Sequence, residues 1–150
     1  MGGRRKRSRK RSAASSEQQP DSLPTYFIER SLGRYTIANA LRAIGRRVEV
    51  HDDHLAAKAP DQRWIKLCGD NRWLAITKDR GIRYREWERR AIVEFQAKVY
   101  VIRPTNLTGH QIGELLVRAL NRIEKFAHKN NPPFLAAIYR DGSVKVYELG

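Results

Sequence analysis

From Thr25 onward, short apolar runs alternate with amphipathic stretches, and that alternation leaves the chain few folds to choose from. Thr25 to Ile28 reads as a first strand, after which Ile37, Ala40, Leu41 and Ile44 recur at helical spacing and Gly45 stops the helix. Val48 to Val50 is a short second strand. Pro60 suits a first helical turn, Asp61 stands near the positive end of that helix's dipole, and Trp64, Ile65 and Cys68 make its inner face. Trp73 to Thr77 is the third strand. Over residues 84 to 95, Tyr84, Trp87, Glu88, Ala91, Ile92 and Phe95 keep a helical period, and Val99 to Ile102 is the fourth strand. Thr108-x-x-Gln111 is a capping box that opens the longest helix, with Ile112, Leu115, Leu116, Ala119, Leu120, Ile123 and Phe126 on its apolar face. Asn130-Asn131-Pro132-Pro133 ends it. Phe134 to Tyr139 and Val144 to Leu149 flank Asp141-Gly142, a two-residue hairpin signal. The order βαβαβαβαββ predicts an α/β fold: a mainly parallel central sheet flanked by helices, with a C-terminal β-hairpin. No internal repeat is apparent. Neither a Gly-x-Gly-x-x-Gly nor a Walker phosphate loop is present, so the common nucleotide-binding versions of this architecture are unsupported.

With 150 residues the chain makes one domain, and its formal charge of +14 asks where the charge lies. Residues 1 to 24 hold seven Lys or Arg against Glu17 and Asp21, and the other 126 residues hold 23 against 14, so the body is basic in its own right. A polyanion partner follows from that balance, as does, on the plainer reading, a soluble surface rich in Lys and Arg. Residues 1 to 24 have the composition of a disordered basic tail, leaving 25 to 150 as the folded domain; the tail either adds nonspecific nucleic-acid affinity or is a solvated arm. One cysteine, Cys68, rules out an internal disulfide and multi-cysteine zinc sites, and its helical spacing from Trp64 and Ile65 makes it a core residue. No apolar run approaches the ~20 residues of a membrane span, and the basic N-terminus lacks a following apolar segment, so a cytoplasmic protein is expected.

Acidic residues cluster where the strands end. Glu29 follows the first, Asp52 and Asp53 the second, and Asp79 the third, while Asp61 opens the helix after the second. In a parallel sheet the carboxyl ends form one edge, where open α/β sheets place their sites. Like charges crowded there need a cation, and carboxylates suit Mg²⁺ or Mn²⁺, which can bridge a phosphate and activate water. The alternative is that these acids are helix caps and surface groups. His51 and His54, three apart, admit a weak zinc reading. Trp64, Trp73 and Trp87 could stack bases, though two of them lie on predicted apolar faces and read better as core. Arg83, Arg85, Arg89, Arg90 and Lys98 either line a groove for a phosphate backbone or form the solvated side of a helix. No serine or cysteine nucleophile arrangement is present.

Phe27-Ile28-Glu29-Arg30-Ser31-Leu32-Gly33, His51-Asp52-Asp53-His54, Pro60-Asp61-x-x-Trp64 and Thr77-Lys78-Asp79, in that order, resemble the PIN-like domain family. The resemblance covers about residues 25 to 149 and points to the compact branch that includes VapC-type toxins of bacterial toxin and antitoxin modules. It implies a parallel α/β sheet whose carboxylates bind Mg²⁺ or Mn²⁺ to cleave RNA, whether transfer, ribosomal or messenger. Carried over, Glu29 stands where the family usually has its first Asp, Asp53 and Asp61 match the middle acids, and Asp79 matches the acid after Thr-Lys. These four are the expected metal ligands and water activators, with Arg30, Lys78, Arg83 and Arg85 as phosphate contacts. Glu29 is one methylene longer than Asp, which alters the metal geometry the family relies on. The resemblance further implies an antitoxin that occludes the acidic pocket and a homodimer. A noncatalytic RNA-binding module and an interaction protein acting through its partner are the alternative functions.

Overall fold

The computed structural model describes residues 23–149, so the tail expected at residues 1 to 24 falls almost wholly outside the described residues. The strands are β1 (Thr25–Ile28), β2 (Arg47–Val50), β3 (Leu74–Thr77), β4 (Lys98–Ile102), β5 (Phe134–Ile138) and β6 (Val144–Tyr147). Between them lie α1 (Thr36–Ala43), α2 (Asp61–Asn71), α3 (Glu86–Glu94) and α4 (Gly109–Lys129). One six-stranded sheet has the order β2-β1-β3-β4-β5-β6. Its first five strands are parallel and β6 runs antiparallel to β5, the mainly parallel sheet with a terminal ribbon that the alternation predicts.

Strand period sorts the side chains onto two faces. Tyr26, Ile28, Val48, Val50, Leu74, Ile76, Tyr100, Ile102, Phe134, Ala136 and Ile138 meet α1 and α4. Phe27, Ala75, Val99, Val101 and Leu135 meet α2 and α3. The connections β2–α2–β3 and β3–α3–β4 advance in one direction along the sheet with their helices on one face. β1–α1–β2 goes the other way with its helix on the opposite face, so these three share a hand. β4–α4–β5 advances with the former pair, yet α4 lies beside α1, giving it the opposite hand. Such connections share one hand in about 98% of cases. The departure has a packing reason: α1 is only eight residues long, and without α4 the apolar residues of β4 and β5 on that face would have no cover.

Local signals account for the ends. The Thr108 hydroxyl accepts from Gln111 N while the Gln111 side chain accepts from Thr108 N, completing the capping box that starts α4. Glu124 then ties α4 to the rest, accepting from Tyr26 Oη at 2.6 Å and from Arg46 Nε at 2.8 Å. The C-terminal hairpin is wider than Asp141-Gly142 alone suggests. Tyr139 N donates to Ser143 O and Gly142 N to Tyr139 O, so Arg140, Asp141 and Gly142 form the loop, with Gly142 at φ 85° in the left-handed region that such three-residue loops require. Trp87 departs from the helical reading: α3 begins only at Glu86, and Trp87 points outward, 67% exposed, while Ala91 and Ile92 face the core. No helix among the described residues is long and apolar enough to cross a membrane.

Gly69 lets α2 close on the end of α3, since a β-carbon there would overlap the carbonyl oxygen of Phe95. Gly69→Ala should therefore lower stability by about 1–3 kcal/mol, the usual cost of forced overpacking, despite alanine's higher helix propensity. Urea unfolding of the two proteins checks this; an unchanged or raised midpoint would contradict the packing.

Candidate active site

The strand order reverses at β1, whose two neighbours are β2 and β3, and the crevice beyond the carboxyl ends of β1 and β3 is where such sheets open. Glu29 leaves β1 there. Its backbone N donates to Ile76 O, holding it against the end of β3. Its carboxylate is buried, at 9% exposure, and accepts from Ser31 N at 3.0 Å, Ser31 Oγ at 2.5 Å and Thr77 Oγ1 at 2.6 Å. These partners are all neutral; among the described residues no cationic side chain pairs with Glu29. Thr77, fully buried at the end of β3, also accepts from Asp79 N at 3.1 Å, so one hydroxyl links Glu29 to the Asp79 loop.

Asp79 caps a 3-10 turn over Arg80–Tyr84, its Oδ1 accepting from Gly81 N at 3.0 Å. Arg85 closes on the other side. Its Nη2 donates to Asp79 Oδ2 and lies 3.6 Å from Asp61 Oδ2, and its Nε donates to Glu88 Oε1 at 3.1 Å. Asp61, in the first turn of α2, is itself oriented by the Trp64 indole, which donates to Oδ1 at 3.1 Å. These carboxylates, Asp79 foremost, raise the guanidinium pKa further above its ordinary value, against a smaller opposing effect of burial.

Of the expected acids, the fold thus joins Glu29 to Asp79 through Thr77, and Asp61 to Asp79 through Arg85. Asp53 is not brought to this group. It follows β2, on the far side of β1, and its Oδ1 accepts from Arg34 Nη2 at 2.5 Å. Its neighbour Asp52 accepts from Arg30 Nε at 3.2 Å and lies 3.1 Å from His51 Nδ1. The His51 bond, and less strongly Arg30, hold the Asp52 carboxyl below its ordinary range. His51 and His54 do not converge: His54 Nε2 lies 2.7 Å from Glu49 Oε1, so the pair offers no zinc site. Of the expected phosphate contacts, Lys78 is exposed, Arg30 is turned to Asp52, Arg83 stacks on Tyr84 and Tyr147, and Arg85 is committed to the acids. Cys68 is buried, which pushes its thiol pKa well up and leaves it a structural residue.

Glu88, Ser31 and Thr77 are the site residues that the sequence reading missed. Glu88 stands at an apolar helical position, three residues after Arg85, and that mismatch was the available signal. A second signal is a short local repeat. Glu29-Arg30-Ser31-Leu32-Gly33-Arg34-Tyr35 and Asp79-Arg80-Gly81-Ile82-Arg83-Tyr84 share an acid, an arginine, a small residue, an aliphatic residue and an Arg-Tyr pair. The expectation of no internal repeat missed it.

Among the described residues no three carboxylate, imidazole or thiol groups stand together as a ready metal cage, and a guanidinium lies between Asp61, Asp79 and Glu88. The donors nonetheless suit a hard cation: Glu29, Asp61 and Asp79 present only oxygens, and Glu29 is a buried carboxylate without a cation.

A family model described as "PIN like domain" matches residues 24–103, a span that includes Glu29, Asp53, Asp61 and Asp79. A protein of Mycobacterium tuberculosis bearing the inferred name ribonuclease VapC45 is 26% identical over 137 residues, covering 85% of this chain and 99% of its own length. No solved structure matches.

Removing the Thr77 hydroxyl should strip Glu29 of a donor and leave the Asp79 amide without its acceptor. Thr77→Val, which keeps the side-chain shape, is expected to lose about 1–3 kcal/mol in chemical denaturation. An unchanged unfolding midpoint in Thr77→Val would refute the linkage.

Proposed function

The chain belongs to the PIN-like domain family, and on that premise we propose that it is a divalent-metal-dependent endoribonuclease, the toxin of a bacterial toxin and antitoxin module. The observation that carries this reading is the line Glu29, Thr77, Asp79, Arg85, Asp61 across the switch point of the sheet. The name of the Mycobacterium tuberculosis relative and the basic body of the chain support it.

Glu29, Asp61 and Asp79 would hold the ion, Mg²⁺ or Mn²⁺. When bound, it supplies charge stabilisation for the scissile phosphate and for an attacking water. The chain's own residues do the positioning. Ser31 and Thr77 fix the Glu29 carboxylate, the Gly81 amide fixes one Asp79 oxygen while Arg85 holds the other, and the Trp64 indole fixes one oxygen of Asp61. The extra methylene of Glu29 is accommodated by those hydroxyl bonds. Arg85 withdraws from the carboxylates and meets the phosphate, for which its planar fork is suited. Asp53 acts at a distance by holding Arg34. Self-association and an antitoxin that covers the acidic crevice complete this reading, with residues 1 to 24 adding nonspecific RNA affinity outside the catalytic domain.

A second reading rests on Arg85. With a guanidinium paired to Asp61, Asp79 and Glu88 where the ion would sit, the fold can bind RNA without cleaving it. Incubation of total transfer and ribosomal RNA with the purified protein in Mn²⁺, in Mg²⁺ and in EDTA separates the two. Discrete cuts that vanish in EDTA are expected, with Asp79→Asn reducing the rate by at least about a hundredfold, as loss of a transition-state stabiliser does. Asp53→Asn, at a residue held away from the crevice, should remain within about tenfold of the parent. RNA retention without cuts in any metal would favour the binding module.

A further inference from the structure

The two strand exits that carry Glu29 and Asp79 are built alike. In each the acid leads a 3-10 turn and accepts from the backbone N two residues on, Ser31 N at 3.0 Å and Gly81 N at 3.0 Å. In each the aliphatic residue next in line, Leu32 or Ile82, is buried and anchors the turn. In each an Arg-Tyr pair follows, and the ring stands in solvent: Tyr35 is 66% exposed and Tyr84 72%. The Arg34 guanidinium lies 5.8 Å from the Tyr35 ring centre and that of Arg83 4.9 Å from Tyr84. Trp87, 67% exposed in the first turn of α3, has the Arg90 guanidinium 5.6 Å away. Among the described residues, Tyr35, Tyr84 and Trp87 are the exposed Phe, Tyr or Trp side chains, and all three follow β1 or β3 at the sheet's carboxyl edge.

Exposed rings scattered over a surface need no explanation. Three at one edge, each beside an arginine and flanking a row of carboxylates, form a pattern with a chemistry. A ring face stacks on a nucleobase, the neighbouring guanidinium, on leaving Asp53 in the case of Arg34 and Glu86 in that of Arg90, donates to the phosphate, and a single strand presents these two groups alternately. A duplex does not, because its base faces are already stacked on one another. We propose that Tyr35 on one side, and Tyr84 with Trp87 on the other, are base-stacking platforms that hold an unpaired RNA segment across the crevice. The phosphodiester between them would lie over Glu29 and Asp79, so the platforms restrict the site to single-stranded stretches and loops. This rests on the ribonuclease reading for its consequence, but the binding itself needs neither metal nor cleavage.

The test uses the full chain and a fluorescein-labelled RNA of mixed sequence, presented as a single strand and annealed to its complement, in EDTA. Fluorescence anisotropy should show the single strand bound at least tenfold more tightly than the duplex. Tyr35→Ser and Tyr84→Ser should each weaken the single strand about tenfold, with duplex affinity unchanged, while Tyr84→Phe keeps the parent affinity. Tryptophan emission should be quenched by the single strand in the parent and much less in Trp87→Phe, which retains a stacking ring. Because the side chains are exposed, unfolding midpoints should not fall, and Tyr35→Ser, which places a favoured capping residue at the start of α1, should if anything raise its own, so loss of fold would not mimic the effect. Single-strand affinity indifferent to Tyr35→Ser and Tyr84→Ser, equal affinity for duplex, or no RNA binding would each overturn the proposal. Cleavage of the same strand in Mn²⁺ distinguishes the two levels. Cuts with no dependence on the rings sink the platforms and leave the nuclease, whereas ring-dependent binding without cuts sustains the platforms and sinks the nuclease.

Discussion

Burial of β1 and β3 on both faces is the constraint from which the rest of the structure follows. Tyr26, Phe27, Ile28, Ala75 and Ile76 are fully enclosed, so these strands need helices above and below, and each must leave and re-enter the sheet through crossovers. Charged groups cannot be accommodated along their length. They appear where the backbone emerges, at the carboxyl edge, and there the first side chains out are Glu29 and the Lys78-Asp79 pair. Thr77 is the hinge of this arrangement: it lies inside the apolar sandwich, and its hydroxyl gives the one polar contact that Glu29 and the Asp79 backbone share.

The edge has two electrostatic halves. On the β3 side a single guanidinium serves Asp61, Asp79 and Glu88, so three carboxylates are gathered with their repulsion relieved. On the β1 side Glu29 is satisfied by hydroxyls and an amide but not by charge. Beyond β1, Arg30 and Arg34 draw Asp52 and Asp53 away into their own pairs. Exposed pairs of this kind contribute little to stability, so the second group fixes geometry more than it holds the fold together. A net basic chain can in this way keep one acidic crevice, because its arginines are distributed around the carboxylates as partners.

Much of this was legible in the residues. The strands came from short apolar runs, α4 from its capping box and long apolar stripe, and the shared edge from acids recurring after strands. Trp87 misled because helical period gives a face but not where cover ends: it is four residues before Ala91, on the same period, yet stands in the first turn of α3, where the ring is exposed. Asp53 was placed with the other acids because strand order is invisible to a reading of periodicity: β2 flanks β1 on the side away from β3. Glu88 was hidden by the apolar positions around it, its role decided by an arginine three residues earlier whose direction no spacing rule gives.

The sequence by itself determined the alternation of strands and helices, the parallel sheet with its antiparallel end, and the presence of acids at strand exits. These follow from local periodicity, capping and turn chemistry, which act over a few residues. Only the tertiary structure decided which strands are neighbours, which face takes α4, and which carboxylates meet. Those outcomes depend on covering exposed apolar area on two faces at once and on where long arginine side chains find partners. Such choices are settled by packing between segments distant in the chain, as Thr77 on Glu29 and Glu124 on Tyr26 show.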